Sequence, residues 1–268
     1  MKKNRLIPVL LLKNGWLVQS KGFIRHKNMG NPITAVKRMS EWASDELIYI
    51  DISQNDFYDT RRNDQGYQNK QSFLEIIEDV SKVTFMPITV GGKIRTLEDI
   101  ENRLLCGADK VTLNTSAIEN HQFVNSAAKE FGSQCIVISI DVKKERDKHI
   151  VYKEGGVVKT NFHVESYSKI IQDFGAGEIL INSIDRDGKR NGYDINLLEK
   201  VCNSVSIPVI GMGGVGEWPH FKEAFDKTNV DAVAAANIFN YVDQSVFLAK
   251  KYLFEAGINV RQPDLMKI

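Results

Sequence analysis

Three aspartates stand where an apolar run gives out: Asp51 in Tyr49-Ile50-Asp51-Ile52-Ser53, Asp141 after Ile138-Ser139-Ile140, and Asp187 in Ser183-Ile184-Asp185-Arg186-Asp187-Gly188. A carboxylate at the end of a buried strand can act as general acid or base, because burial lifts its pKa toward neutrality. For any one of them a helix cap or turn is the ordinary alternative. Four short segments of glycine and small residues accompany them: Gly91-Gly92, Asn114-Thr115, Gly213-Gly214 and Ala236-Asn237. Glycine lets the backbone approach an anion, and a following helix N-terminus supplies free N–H groups and a positive dipole end. Two phosphate seats, one per half of the chain, are the inference, with Lys93 at the edge of the first and Gly188 beside the second. A single Gly-Gly pair would more simply be a tight turn; the set of four argues for the seats.

A second constellation is built from charge. Arg5, Glu46, Lys110 and Glu178 each stand at the start of an apolar run. Dispersed, they would be solvated end charges worth little; gathered on one axis, they would form an alternating ring able to close a pore. The five histidines, His26, His121, His149, His163 and His220, share no ligand spacing and read as surface or loop residues. No metal and no cofactor is expected.

The fold that could position these groups follows from the rhythm of the chain. Eight apolar or β-branched runs recur: Leu6–Leu12, Leu47–Ile52, Pro87–Val90, Lys110–Leu113, Cys135–Ile140, Glu178–Asn182, Ile207–Gly211 and Asp231–Ala235. Between them Ser72–Val83, Leu97–Leu105, Gln122–Phe131, Ser166–Phe174, Asn196–Asn203 and Phe221–Asp226 carry apolar residues at helical spacing. Continuous apolar runs alternating with crossover helices predict a parallel sheet buried on both faces. The 268 residues match the roughly 250 of a (β/α)₈ TIM barrel. Val90-Gly91-Gly92 is answered by Met212-Gly213-Gly214, so the expectation is one domain over residues 1–268, built from half-barrels at about 1–133 and 134–268. Gln54–Gln71 is too long for an ordinary connection and reads as a functional loop. His149–Thr160 reads as a hairpin around Glu154-Gly155-Gly156.

Composition excludes several partners. The 35 lysines and arginines nearly balance 34 acids, leaving no global basic field for nucleic acid. Cys106, Cys135 and Cys202 are odd in number and widely spaced, which fits a reducing cytoplasm better than a disulfide framework. The basic start Met1-Lys2-Lys3-Asn4-Arg5 leads into an apolar run broken by Lys13 and Asn14, a first strand rather than a signal peptide. No window reaches the roughly eighteen apolar residues that a membrane span needs.

Several of these segments together resemble a known family, the cyclase subunit of imidazole glycerol phosphate synthase of histidine biosynthesis. The resemblance is carried by Asp45-Glu46-Leu47, Val90-Gly91-Gly92, Gly107-Ala108-Asp109-Lys110-Val111, Leu113-Asn114-Thr115, Ile140-Asp141, Gly175-Ala176-Gly177-Glu178, Ser183 to Gly188, Gly192-Tyr193-Asp194 and Gly257 to Arg261, and it runs from about Arg5 to Arg261. It implies a glutaminase (amidotransferase) subunit docked on the barrel's N-terminal face and ammonia passing a salt-bridge gate formed by Arg5, Glu46, Lys110 and Glu178. It also implies a phosphorylated small-molecule substrate converted at the other mouth, by a pair of aspartates in the family at large. Asp141 matches the second of that pair, but Leu11 stands at the position of the first, and an aliphatic group can move no proton. Asp187 is retained, whereas Lys93 stands where the family has a third glycine, Gln19 where it has lysine, Asn182 where it has threonine, and Met212 where it has serine. A conserved-looking gate beside an altered mouth resembles the paralogous branch called glycosyl amidation-associated proteins, in which ammonia goes to a sugar during surface polysaccharide (lipopolysaccharide) synthesis and a sugar-amidating enzyme is a further partner. The alternatives are a genuine histidine-pathway cyclase subunit and a non-catalytic barrel that scaffolds its glutaminase.

Overall fold

The computed structural model describes residues 3–61, 63–64, 66–240 and 245–265. Eight parallel strands close on themselves: β1 (Arg5–Lys13), β2 (Leu47–Asp51), β3 (Ile88–Gly91), β4 (Lys110–Leu113), β5 (Ile136–Glu145), β6 (Glu178–Ser183), β7 (Val209–Met212) and β8 (Ala232–Ala235). Each pairs with its neighbours in chain order, and the register Arg5↔Ala232, Leu6↔Val233 joins β1 to β8 and shuts the barrel. Helices α1 (Pro32–Glu41), α2 (Phe73–Ser81), α3 (Leu97–Leu105), α4 (His121–Phe131), α5 (Val164–Asp173), α6 (Ile195–Cys202), α7 (Trp218–Lys227) and α8 (Val246–Glu255) surround it. This is the (β/α)₈ TIM barrel that the alternating runs predict.

Period-two alternation along β1 divides its side chains between two cores. Leu6, Leu10 and Leu12 join the layer between sheet and helices. Ile7 and Val9 fill the lumen with Ile48, Val137, Leu180, Ile210 and Met212, and Leu11, Ile50 and Ala236 pack at its upper rim. The lumen is thus side-chain filled at mid-height.

Four features depart from the sequence reading. Helices α1 and α8 lie outside the predicted set, and a hairpin of Trp16–Lys21 against Arg25–Gly30 rises from β1. The strand after Asp141 does not stop there: β5 runs to Glu145 and pairs with Lys148–Lys153, the first arm of the hairpin expected over His149–Thr160, whose second arm is Val158–His163. The Gln54–Gln71 stretch holds a two-residue ribbon, Asn63–Asp64 with Tyr67–Gln68; Arg62 and Gln65 lie outside the described residues. Met1 and Lys2 also lie outside them.

The histidines require a correction. His149 is buried, with Nε2 3.3 Å from Asp194 Oδ2, and His121 packs against Phe162, Tyr167 and Phe174 at ring distances of 5.5–5.8 Å. Neither is a surface or loop residue, because the partners that accommodate them come from distant parts of the chain.

The seam between the chain ends is polar. Lys250 of α8 is fully buried and its Nζ donates to Asp45 Oδ1 at 2.5 Å and to the Ala43 carbonyl at 2.9 Å. Asp45 Oδ2 in turn accepts from the Leu6 N–H at 3.0 Å. Asn4 bridges to Val260 beside it. The three cysteines are free thiols, and among the described residues no helix is long and apolar enough to cross a membrane.

Candidate functional site

The four charges at the strand starts meet at the barrel bottom. Arg5 Nη1 donates to Glu46 Oε2 at 2.8 Å, its Nη2 donates to Glu178 Oε1, and Lys110 Nζ donates to Glu46 Oε1 and Glu178 Oε2 at 3.1 Å each. Thr89 Oγ1 adds a donor to Glu46 at 2.7 Å. Both glutamates are buried, whereas the two cations keep about a fifth of their side-chain surface exposed. Burial opposes the charge on Arg5, but hydrogen bonds and attraction from Glu178 and Glu46 outweigh it and raise its pKa. The result is a closed cycle in which every charge is flanked by two of opposite sign.

The other mouth is organised around Asp141. Its carboxylate accepts from Asn182 Nδ2 at 3.3 Å and from Asn114 Nδ2 at 3.2 Å. Burial, with a smaller contribution from the charge of Asp187, pushes its pKa up to about 7 in spite of these two donors. A carboxyl titrating there can give and take a proton near neutral pH, which is what general acid–base chemistry needs. Leu11 stands at the upper rim of the lumen beside Ile50, paired across the sheet with it.

Around this centre the small-residue segments do not behave alike. Asp187, Gly188, Gly213, Gly214, Ala236 and Asn237 line one cavity of about 470 Å³, together with Lys21, Arg25, Lys27 and Arg190. Asp187 Oδ2 is held by Ser20 Oγ at 2.9 Å and the Phe23 N–H at 3.1 Å, while Asn237 Nδ2 donates to the Ser20 carbonyl at 2.6 Å, so the hairpin after β1 forms one wall. Gly214 has φ +98°, and a Cβ there would lie 2.1 Å from the Gly192 carbonyl oxygen; only glycine lets these two loops close on each other.

Gly91, Gly92, Lys93, Asn114 and Thr115 lie on the other side. Gly92, at φ +109°, presses against the Asp51 carbonyl, and the buried Arg103 donates to its carbonyl at 2.8 Å. Lys93 adopts φ +56°, a left-handed conformation that favours glycine. Its ammonium bonds the Asn55 carbonyl and lies 3.4 Å from both Asp51 and Asp56. Thr115 Oγ1 accepts from the Glu154 N–H at 3.1 Å. Asp51 itself accepts from Tyr58 at 2.8 Å and from Ser53.

Comparison with known proteins decides the family. The model of the histidine biosynthesis protein family matches residues 5–244. The chain belongs to that family. Among curated members it is 38% identical over 262 residues to "Imidazole glycerol phosphate synthase subunit HisF" of Bacillus cereus (strain G9842), covering 97% of this chain and 100% of that protein. It is 40% identical over 263 residues to the protein of the same name from Geobacillus kaustophilus (strain HTA426), with the same coverage. Leu11 and Met212 face the lumen. Asn182 touches Asp141, and Lys93 takes a left-handed conformation of the kind glycine adopts most readily.

Sequence reasoning missed several residues that shape the mouth. Ser20, Lys21 and Arg25 lie in a hairpin whose polar sequence resembles a loop, and Arg103 sits on a helix eleven residues from the carbonyl it braces. Asp185, in the same segment as Asp187, instead accepts from the Lys144 N–H at 2.6 Å and fastens the extension of β5.

Proposed function

We propose that the chain is the ammonia-receiving barrel of a glutamine amidotransferase complex. A glutaminase docks on the strand N-terminal face, ammonia passes the ring of Arg5, Glu46, Lys110 and Glu178, and a phosphorylated acceptor waits at the opposite mouth. What supports this reading is the contrast between the two ends: the ring is complete, yet an aliphatic side chain, Leu11, occupies the upper lumen, at the position where the resemblance puts the family's first catalytic aspartate. With Asp141 as the main proton-transfer group and Asp187 at the edge of the cavity, the mouth lacks the pair that ring formation requires. Ammonia then goes to a different acceptor, a sugar of surface polysaccharide synthesis, with a sugar-amidating enzyme as a further partner. A second reading, a genuine cyclase subunit, is favoured by the 37–40% identity that spans the whole of its HisF relatives. A purely scaffolding barrel accounts less well for a buried carboxyl held near neutral pKa between two asparagines.

The test supplies the purified protein with ammonium and the bisphosphorylated substrate of imidazole glycerol phosphate synthase. Losing one of two proton-transfer groups is expected to lower cyclase turnover by about 10²–10⁴ relative to a HisF relative. Leu11→Asp should recover only part of it, since Lys93 and Met212 also reshape the mouth. Turnover by the unmodified protein at a relative's rate would assign it to histidine synthesis.

A further inference from the structure

The two small-residue clusters at the mouth are alike in sequence and unlike in charge. At the second, Lys21, Arg25 and Lys27 border the cavity, and among the described residues none of the three forms an ion pair. At the first, the cation at its edge is spent inside the protein: Lys93 reaches Asp51, Asp56 and the Asn55 carbonyl at once. Thr115, the hydroxyl of that cluster, is tied to Asn114 at 3.3 Å and to the Glu154 N–H. Asn114 is tied to Asp141 and the Ser139 carbonyl. A phosphate arriving there would meet Asp51 and Asp56 with their lysine already shared between them. It would have to break three contacts of Lys93 before gaining any.

We propose that only the second cluster seats a phosphate, so that the ligand of this barrel carries one phosphoryl group at the Lys21–Gly188–Gly213–Gly214 side and presents a non-phosphorylated end toward Asp141. This rests on the reading that the mouth receives a phosphorylated acceptor, and it narrows that acceptor's class to monophosphates such as a sugar phosphate. Lys93 is the specificity-determining residue: it latches the segment carrying Asn55 and Asp56 over the first cluster. Its left-handed backbone is tolerated because three oxygens hold the side chain.

The difference is measurable because two linked seats act as one multivalent site, in which a second phosphate strengthens binding by about 10²–10⁴. Calorimetric titration of the whole chain at fixed ionic strength, with inorganic phosphate, ribose 5-phosphate and ribulose 1,5-bisphosphate, reads this out. The expected result is one site per chain, with the bisphosphate bound less than about tenfold more tightly than the monophosphate. Asn237→Asp, which puts a carboxylate in the second cluster, should weaken both sugar phosphates by about tenfold or more; Lys21→Glu, at an exposed position, does the same without any risk to folding. The double variant Lys93→Gly, Asp56→Asn should open the first cluster and create a bisphosphate preference above about tenfold. Such a preference in the unmodified protein, bisphosphate binding that survives Asn237→Asp and Lys21→Glu, or no gain in the double variant overturns the single seat while leaving a phosphate-binding mouth intact. Failure of all three probes to bind overturns the phosphorylated-acceptor reading itself, and the single seat with it.

Discussion

The two ends of this barrel treat charge in opposite ways. At the bottom, two cations and two anions satisfy one another completely, and the glutamates are buried. At the top, the central carboxyl is held close to neutral by burial, and the cations of the hairpin wall face open volume. A paired ring presents little net field and resists ions, so it suits an entrance for a neutral molecule. A basic wall facing a cavity, at the same mouth as an acid of near-neutral pKa, suits the capture of an anion and a proton transfer near it. One scaffold carries both because strand starts and strand ends are separate faces of the same sheet.

The comparison breaks most visibly at the ring. Glu46→Ala leaves Arg5, Lys110 and Thr89 without their shared acceptor. Removing one partner of a buried pair typically costs about 3–5 kcal/mol; discounted for the partial exposure of both cations, about 2–3 kcal/mol is expected. A urea unfolding midpoint reports it, and a loss below about 0.5 kcal/mol would mean the ring is ordinary surface charge. In a reconstituted pair with a glutaminase, Lys110→Ala should lower amidated product more than it lowers glutamate formation. If the two fall together, the ring is not a passage.

The top responds to pH instead. Because Asp141 titrates at about 7 when folded, the native chain holds a proton between about pH 4 and 7 that the unfolded chain has released. Stability from this group is therefore full at the acid end of the window and lost as pH rises through it, by an amount on the order of 4 kcal/mol. Asp141→Asn keeps the site uncharged, so the difference in unfolding free energy between variant and wild type should grow in the variant's favour from pH 5 to pH 8. A difference that does not change slope near pH 7 would show that Asp141 does not titrate there.

Smallest of all should be Lys93→Gly. It relieves a left-handed backbone worth about 1–2 kcal/mol and forfeits partly exposed ion pairs of similar size. A change in melting temperature of no more than a few degrees is expected, which separates a residue kept for ligand choice from one kept for stability.

Much of this was legible in the sequence because a parallel barrel writes its strands as unbroken apolar runs: Leu6–Leu12 lies within Arg5–Lys13, and Lys110–Leu113 coincides with its strand. Ring members could be picked out because each directly precedes or begins such a run. Helix α8 escaped because Lys250 interrupts its apolar face, and the reason a lysine can sit there is Asp45, two hundred residues earlier. The hairpin escaped because Arg25-His26-Lys27-Asn28 carries no alternation; its pairing with Trp16–Lys21 depends on the barrel rim beneath it. Asp187 was visible, but that Ser20 and Phe23 hold it was not, since such contacts arise only when the barrel closes.

The buried Lys250–Asp45 pair gives the chain a direction in time. Asp45 is adjacent to Glu46, so before α8 arrives two neighbouring acids stand at the β1–β2 edge with the Lys250 ammonium still absent. During synthesis the strands emerge in order, yet Asp45 gains its buried cation only once residue 250 has left the ribosome, and Arg261, 3.9 Å from the same carboxylate, follows later still. Nascent chains shorter than that should remain open at this edge and be cut there by protease, and the transition to resistance should come abruptly as α8 is released.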